Sequence, residues 1–125
     1  MTCPKCQKPM EKVSFEGIDV DRCTGCRGIW FDALEAEELL KLPGSEQIDT
    51  GDTQRGEGWN PMQKAECPVC HTRMIRMVDN DQPHIRYEAC KLCGGLFLDA
   101  GEFRDLKEES LKDWLKSLFR KRKAQ

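Results

Sequence analysis

The chain has 125 residues, a net charge of −2, 38% hydrophobic residues and eight cysteines. No apolar run approaches the roughly 18 residues of a membrane-spanning helix, and the first ten residues lack the apolar core of a secretory signal. We therefore expect a cytoplasmic protein of one ordinary or two very small domains. Its cysteines would serve as metal ligands or reactive thiols rather than as a disulfide framework.

The chain opens with one Cys-x2-Cys pair, Cys3 and Cys6, and a second pair follows at Cys23 and Cys26. Between the pairs, apolar residues alternate on both sides of Glu16-Gly17, which predicts a short β-hairpin. Each Cys-x2-Cys turn can place two thiolates on one ion, so two turns supply four sulfur ligands.

A short helix is predicted after the second cysteine pair. Asp32 precedes an apolar-periodic run and Glu35 follows three residues later, as in an N-cap with a capping box. Asp99 and Glu102 repeat this arrangement in the second half of the chain and predict a second N-cap. The helix should end by Pro43-Gly44. A functional acidic patch near the metal is the alternative interpretation of these carboxylates.

Residues 43–66 are rich in glycine and polar residues, which predicts a flexible linker. Trp59 stands in this segment, where it either packs on a neighbouring module or anchors a partner.

The second half repeats the first. Residues 23–39 and 90–106 align without a gap and are identical at seven of 17 positions. A Cys-Pro-x-Cys motif, Cys67 to Cys70, again precedes the second pair, Cys90 and Cys93. The predicted hairpin of this half turns at residues 80–83. His71 and His84 are interpreted as spare polar residues, because the first half has Gln7 where the second has His71.

This duplication favours two separate four-sulfur sites over an interleaved arrangement, which would have to close loops across the linker. Four thiolates suit Zn²⁺ and close its coordination sphere, as in structural sites. The sequence thus predicts two zinc ions, which supply folding energy that modules of about 40 residues lack. The predicted ligands are Cys3, Cys6, Cys23 and Cys26 for one ion, and Cys67, Cys70, Cys90 and Cys93 for the other.

Small residues after the second pair, Gly28 and Gly94-Gly95, should let backbone amides approach the sulfurs. Trp30 and Phe97 are predicted to form a small core beside each metal, with exposed platforms for stacking bases as the alternative.

The motif Cys-x2-Cys-x-Gly-x-Trp-x-Asp-x-Gly-Glu, downstream of Cys-Pro-x-Cys, resembles the transcription-factor-IIB-type zinc-ribbon family of small bacterial proteins. Copy one has Leu34 where the pattern has glycine, and copy two has Phe97 where it has tryptophan. The resemblance implies a small metal-stabilised α+β fold of two tandem zinc ribbons, each a β-hairpin plus a short helix. Its name suggests transcription, but a fold does not fix a function.

An amphipathic pattern with no glycine or proline continues beyond residue 102, which predicts a helical extension of the second ribbon. The stripe at residues 103–119 would pack on a ribbon or mediate self-association. The end at Arg120-Lys121-Arg122-Lys123 is basic, and its contact with a membrane surface or nucleic acid is the remaining alternative. The predicted domains are therefore ribbon 1 (1–42), linker (43–66), ribbon 2 (67–106) and helical extension (107–125).

Charge is unevenly distributed, with −6 over residues 1–106 and +4 over residues 107–125. An acidic body disfavours a broad nucleic-acid interface. We therefore expect a non-enzymatic recognition module whose partner is a protein, with nucleic acid left open for the tail. The alternatives are a redox-sensitive zinc/thiol switch and a rubredoxin-like iron electron carrier. No set of catalytic residues is recognised.

Overall fold

The computed structural model describes residues 1–51, 65–78 and 86–108. Its elements in chain order are β1 (Met10–Phe15), β2 (Ile18–Cys23), β3 (Ile29–Phe31), α1 (Glu35–Leu40), a 3-10 helix (Ser45–Ile48), β4 (Ile75–Val78), β5 (Arg86–Ala89) and β6 (Leu96–Leu98). Helical residues 102–108 then begin α2. The predictions for Trp59, for His84, for the turn at 80–83 and for the tail beyond 108 lie outside these residues. No described helix has the length and apolar character to cross a membrane.

The six strands form one antiparallel sheet in the order β1-β2-β3-β6-β5-β4. The predicted hairpin of copy one is confirmed, since β1 and β2 pair with Phe15 opposite Ile18. The two copies join where β3 pairs with β6, and Trp30 lies opposite Phe97 at the middle of this pairing. Because these two residues occupy equivalent positions in the copies, an approximate twofold axis passes between them.

The two central strands are buried on both faces. Trp30 and Phe97 share one apolar cluster with the cysteines. Ile29, Phe31 and Leu98 point to the opposite face, as alternation along a strand requires, and there they share a second cluster with the helices. In that cluster the Phe31 and Phe103 rings stack with their centroids 5.2 Å apart. The cysteines and the helices thus lie on opposite faces of one sheet.

Each copy provides a glycine beneath the aromatic ring of the other copy. A Cβ atom added at Gly95 would lie 2.2 Å from Cζ2 of Trp30, and one added at Gly28 would lie 2.3 Å from Cζ of Phe97. Both rings are fully buried, so they have little room to move. This close approach is a second reason for glycine at these positions, beyond access of backbone amides to sulfur.

We expect Gly95→Ala to destabilise the zinc-loaded protein by about 3 kcal/mol, at the upper end of overpacking costs, because the buried indole must shift. Gly25→Ala is the matched control. Its Cβ would meet only the exposed Lys8 side chain, whose Cδ would be nearest, also at 2.3 Å, and a flexible side chain can move aside at a cost below about 0.5 kcal/mol. Denaturant unfolding compares the two variants, and equal losses would contradict the inter-copy packing.

The predicted N-caps are wrong, although half of the predicted capping box is present. The Glu35 carboxylate accepts the backbone N–H of Asp32 at 2.8 Å, but α1 begins after Leu34, and no side chain caps it. Leu34 takes a left-handed backbone with φ 72, and its equivalent Gly101 has φ 86. The Asp32 carboxylate instead accepts the indole N–H of Trp30 at 3.1 Å. The family pattern's glycine therefore supplies a left-handed conformation, which leucine adopts at a cost.

The first part of the predicted linker packs against the ribbons. Ile48 and Asp49 are buried, and the Asp49 carboxylate accepts the backbone N–H groups of Gly101 at 2.9 Å and Arg104 at 3.1 Å. Asp49 thus takes up free amides at the start of α2, the role predicted for Asp99. The apolar pattern of this segment could not predict the contact, because the contact depends on one isoleucine and one carboxylate.

Candidate metal centres

The first candidate centre is formed by the turns that flank the β1–β2 hairpin. Cys3, Cys6, Cys23 and Cys26 all place their sulfur atoms within 4.8 Å of one another. The Sγ atoms of Cys3 and Cys26 are 3.7 Å apart, and those of Cys6 and Cys23 are 3.2 Å apart. Four sulfurs at about 2.3 Å from one tetrahedral Zn²⁺ would be about 3.8 Å apart, so the set has the size that a zinc ion requires.

The second candidate centre repeats this arrangement. Cys67, Cys70, Cys90 and Cys93 also place their sulfurs within 4.8 Å of one another, with 3.7 Å between Cys67 and Cys93. None of the eight cysteines forms a disulfide. The structure therefore groups the cysteines sequentially, four from each copy, and not in an interleaved pattern. His71 is exposed and belongs to neither group.

Backbone amides of the cysteine turns point at the sulfur atoms. In the first turn of copy two, the N–H groups of Val69 and Cys70 donate to Cys67 Sγ at 3.4 and 3.3 Å. In copy one, the N–H of Cys6 donates to Cys3 Sγ at 3.5 Å, and that of Gly25 donates to Cys23 Sγ at 3.3 Å. Hydrogen bonds to sulfur favour the thiolate form, which is the form that binds a metal.

The thiols within each set differ in pKa. A hydrogen bond from the Cys3 thiol lowers the pKa of Cys26 to about 5. A backbone hydrogen bond at Cys93 lowers the pKa of Cys90 to about 6. Burial raises the pKa of Cys23 and of Cys67. Each set thus contains one thiol whose pKa lies below neutral pH, and Zn²⁺ would bind the thiolate form of its ligands.

The family model described as a transcription factor zinc-finger, the TFIIB-type zinc ribbon, matches residues 2–42 and 66–109. The chain belongs to this family. Two tandem copies of the TFIIB-type zinc ribbon account for both cysteine sets, and the two sets fit two Zn²⁺ ions. No curated protein and no solved structure matches the chain.

An ion-pair cluster joins the two zinc ribbons beside the metal face. The ammonium of Lys5, from the first cysteine turn, contacts Asp99 at 2.7 Å and Glu88 at 2.9 Å. Its side chain is completely buried and lies 5.7 Å from the centroid of the Phe97 ring. Arg76 contacts Glu88 at 3.1 Å from the neighbouring strand. Copy one thus contributes a buried cation to the carboxylates of copy two.

Burial is the largest cause of the pKa shifts of Asp99 and of Glu102, a further carboxylate close to this cluster. It raises the pKa of Asp99 to about 6, against the opposing effect of Lys5. It raises the pKa of Glu102 to about 8, with the charge of Asp99 adding to the effect. One oxygen of each of Glu88, Asp99 and Glu102 is buried without a hydrogen-bond partner. Lys5 and Arg76 thus compensate the charges of Glu88 and Asp99, and with a pKa of about 8 the Glu102 carboxyl holds its proton at neutral pH instead of adding a third buried charge.

Sequence reasoning missed this cluster, although one signal was available. The two Cys-Pro-x-Cys motifs differ at their third position, where copy one has Lys5 and copy two has Val69. Val69 is 47% exposed, whereas Lys5 is buried. This difference between two otherwise identical motifs was the signal that the third position makes different contacts in the two copies.

A cleft of about 420 Å³ lies between the Cys-Pro-x-Cys turns of the two ribbons. Equivalent residues face each other across it, including Pro4 with Pro68 and Gln7 with His71. Gln7 and His71 both have left-handed backbones, with φ 66 and φ 60. The approximate twofold axis of the sheet thus brings the two turns together at the surface.

Proposed function

We propose that this protein is a cytoplasmic, non-enzymatic recognition module in which the eight cysteines hold two structural zinc ions and the sheet they stabilise binds another macromolecule. The observation that carries the proposal is the grouping of four sulfurs, and no other ligand type, in each set within the described residues. A tetrathiolate site has no free position for water or substrate. The ions would therefore act as crosslinks and not as catalysts.

The proposed division of the chain keeps ribbon 1 at residues 1–42 and ribbon 2 at residues 67–106, with a connection at 43–66 and a helical extension at 107–125. The pairing of β3 with β6 supports a single binding unit rather than two independent modules. Phe103 is buried inside the described fold. A self-association surface would therefore have to use the later part of the 103–119 stripe.

We favour a protein partner over nucleic acid. Binding of single-stranded nucleic acid commonly uses exposed aromatic platforms, and Trp30 and Phe97 are both fully buried. Each Zn²⁺ with four thiolates would carry a net charge of −2, which adds to the −6 of residues 1–106. Only the +4 of residues 107–125 would attract phosphates. A role in transcription is supported by the family's name alone.

Affinity capture from a lysate with the intact zinc-loaded chain tests the proposal, alongside elemental analysis. A chain that lacks residues 109–125 is the control, because it retains Lys107, which donates to Ser45 and Glu46 at 2.7 Å. We expect two zinc ions per chain and capture of a protein that both chains retain. Bound iron with a coloured product would favour an electron carrier. Capture of nucleic acid that is lost at higher salt, and also when residues 109–125 are deleted, would contradict a protein partner.

A further inference from the structure

The approximate twofold symmetry predicts a second lysine site, and among residues 1–51, 65–78 and 86–108 no lysine stands at the position equivalent to Lys5. In copy two, Glu88 and Asp99 bind the Lys5 ammonium, with Glu102 one helical turn away. Residues equivalent to these three carboxylates occur in copy one at Asp21, Asp32 and Glu35. The residue that would supply the cation is Val69, which has no charge.

The copy-one carboxylates are held together by described contacts. Asp21 pairs with Trp30 across β2 and β3, as Glu88 pairs with Phe97 across β5 and β6. The Trp30 indole donates to the Asp32 carboxylate at 3.1 Å, and Glu35 accepts the Asp32 backbone N–H at 2.8 Å. The arrangement of strand, aromatic ring and helix start is thus the one that holds Lys5 in the other copy.

The copy-one site is accessible where the copy-two site is covered. Asp32 is exposed and Asp21 and Glu35 are half-buried, whereas Glu88 and Asp99 are 3% and 2% exposed. Burial and the nearby carboxylates raise the pKa of Asp21, and the two cations that oppose them are Lys12, across the strand from Asp21, and the N-terminal ammonium of Met1.

We propose that Asp21, Asp32 and Glu35 form a docking site for a lysine side chain of a protein partner. This rests on the proposed function and names the chemistry of the partner. An acidic group alone would not justify the assignment. The independent observation is that the equivalent carboxylates of the same chain bind an ammonium at 2.7 and 2.9 Å.

A metal ion fits the site less well than an ammonium. Over residues 1–51, 65–78 and 86–108, only the two cysteine sets bring three ligand atoms within 4.8 Å of one another. The three carboxylates are therefore too far apart to share one small cation. A lysine ammonium needs only two of them, as Lys5 contacts only Glu88 and Asp99 in copy two.

The chain offers an internal test, because V69K would supply the missing cation at the equivalent position. Val69 is exposed, so the substitution should not disturb folding. We expect V69K to raise the melting temperature of the zinc-loaded protein by about 4 °C, the shift that one surface-accessible ion pair can produce. The rise should be lost when D32N is added, and V69M, of similar length but without charge, should not show it. An equal rise with and without D32N would overturn the equivalence of the two sites.

Binding is tested with the peptide acetyl-Gly-Gly-Lys-Gly-Gly-amide at low salt, where exposed charges are least screened. The reporter is the Trp30 indole N–H resonance, because that group donates to Asp32. We expect a saturable shift with the lysine peptide and none with its norleucine analogue. D32N and V69K should each weaken binding at least tenfold. A shift that persists in D32N, or no shift in the wild type, would overturn the site.

Deletion of residues 109–125 identifies the occupant. Unchanged peptide affinity supports an external lysine, whereas a tenfold gain would show that the chain's own basic tail fills the site and would overturn a partner's lysine as the occupant. These experiments do not depend on partner capture. If the lysine peptide binds but the lysate yields no captured protein, only the proposed function is contradicted. If a protein is captured equally well by the wild type and by the D32N variant, only this site is contradicted.

Discussion

Removal of zinc is expected to unfold both ribbons. A structural zinc site contributes about 10–16 kcal/mol of apparent binding energy, which is folding energy in a small module. That exceeds or matches the entire stability of a typical domain, about 5–15 kcal/mol. A strong chelator added to reduced protein should therefore abolish the β-sheet signal in circular dichroism and release two ions per chain. The same chelator saturated with zinc beforehand is the control.

Because the two ribbons share one sheet, we expect loss of one zinc site to disturb the other ribbon. Cys90→Ser removes a ligand from the second set only, yet we expect the Trp30 indole resonance of copy one to lose its dispersion. Trp30 lies over Gly95 and opposite Phe97, so copy two forms one side of its surroundings. A protein that keeps one zinc ion and an unchanged Trp30 resonance would show that the ribbons fold independently. A chelator that leaves the sheet signal intact would contradict the structural role of zinc altogether.

The metal centres could be predicted from the sequence because cysteine spacing limits the geometry. Two Cys-x2-Cys pairs separated by a hairpin can meet at one ion, and the duplication assigned four cysteines to each copy. The hairpin around Glu16-Gly17 followed from equally local signals, and both of these residues have positive φ, at 48 and 84. Interactions that span a few residues, or that a metal ion enforces, are readable from one sequence.

The joining of the copies could not be predicted in the same way. Strands β3 and β6 have three residues each, too few to show a period, and their apolar side chains suit any buried position. Their pairing depends on long-range complementarity between an aromatic ring and a glycine in the other copy. The N-cap predictions for the two helices were wrong for a related reason. Asp32 and Asp99 have the residue type of an N-cap, but an indole and a lysine compete successfully for their carboxylates.

Lys5→Met is expected to destabilise the protein by about 3–5 kcal/mol, the cost of removing one partner from a buried ion pair. The Lys5 ammonium is the cation that contacts both Glu88 and Asp99, at 2.9 and 2.7 Å. Methionine keeps most of the volume of the side chain, so the loss reflects charge more than packing. Denaturant unfolding of the zinc-loaded proteins measures it. Lys8→Met, the same change at an exposed lysine of the same turn, should cost less than about 0.5 kcal/mol.

Two further measurements separate the ion pair from a general effect on the cysteine turn. Asp99→Asn added to Lys5→Met should recover part of the loss, because the double variant no longer buries an unpaired carboxylate, and a double-mutant cycle isolates that coupling.

The loss of stability in Lys5→Met should also shrink as pH falls from 8 toward 5. Burial already raises the pKa of Asp99 to about 6, and Lys5 opposes that rise. Without Lys5 the folded state therefore takes up a proton at Asp99 more readily than the unfolded state, so acid favours the folded variant. Since zinc binding also weakens in acid, the variant is compared with the wild type at each pH. A loss below about 1 kcal/mol, or one that is independent of both Asp99 and pH, would mean that the sheet and the two metal ions hold the ribbons together without this pair.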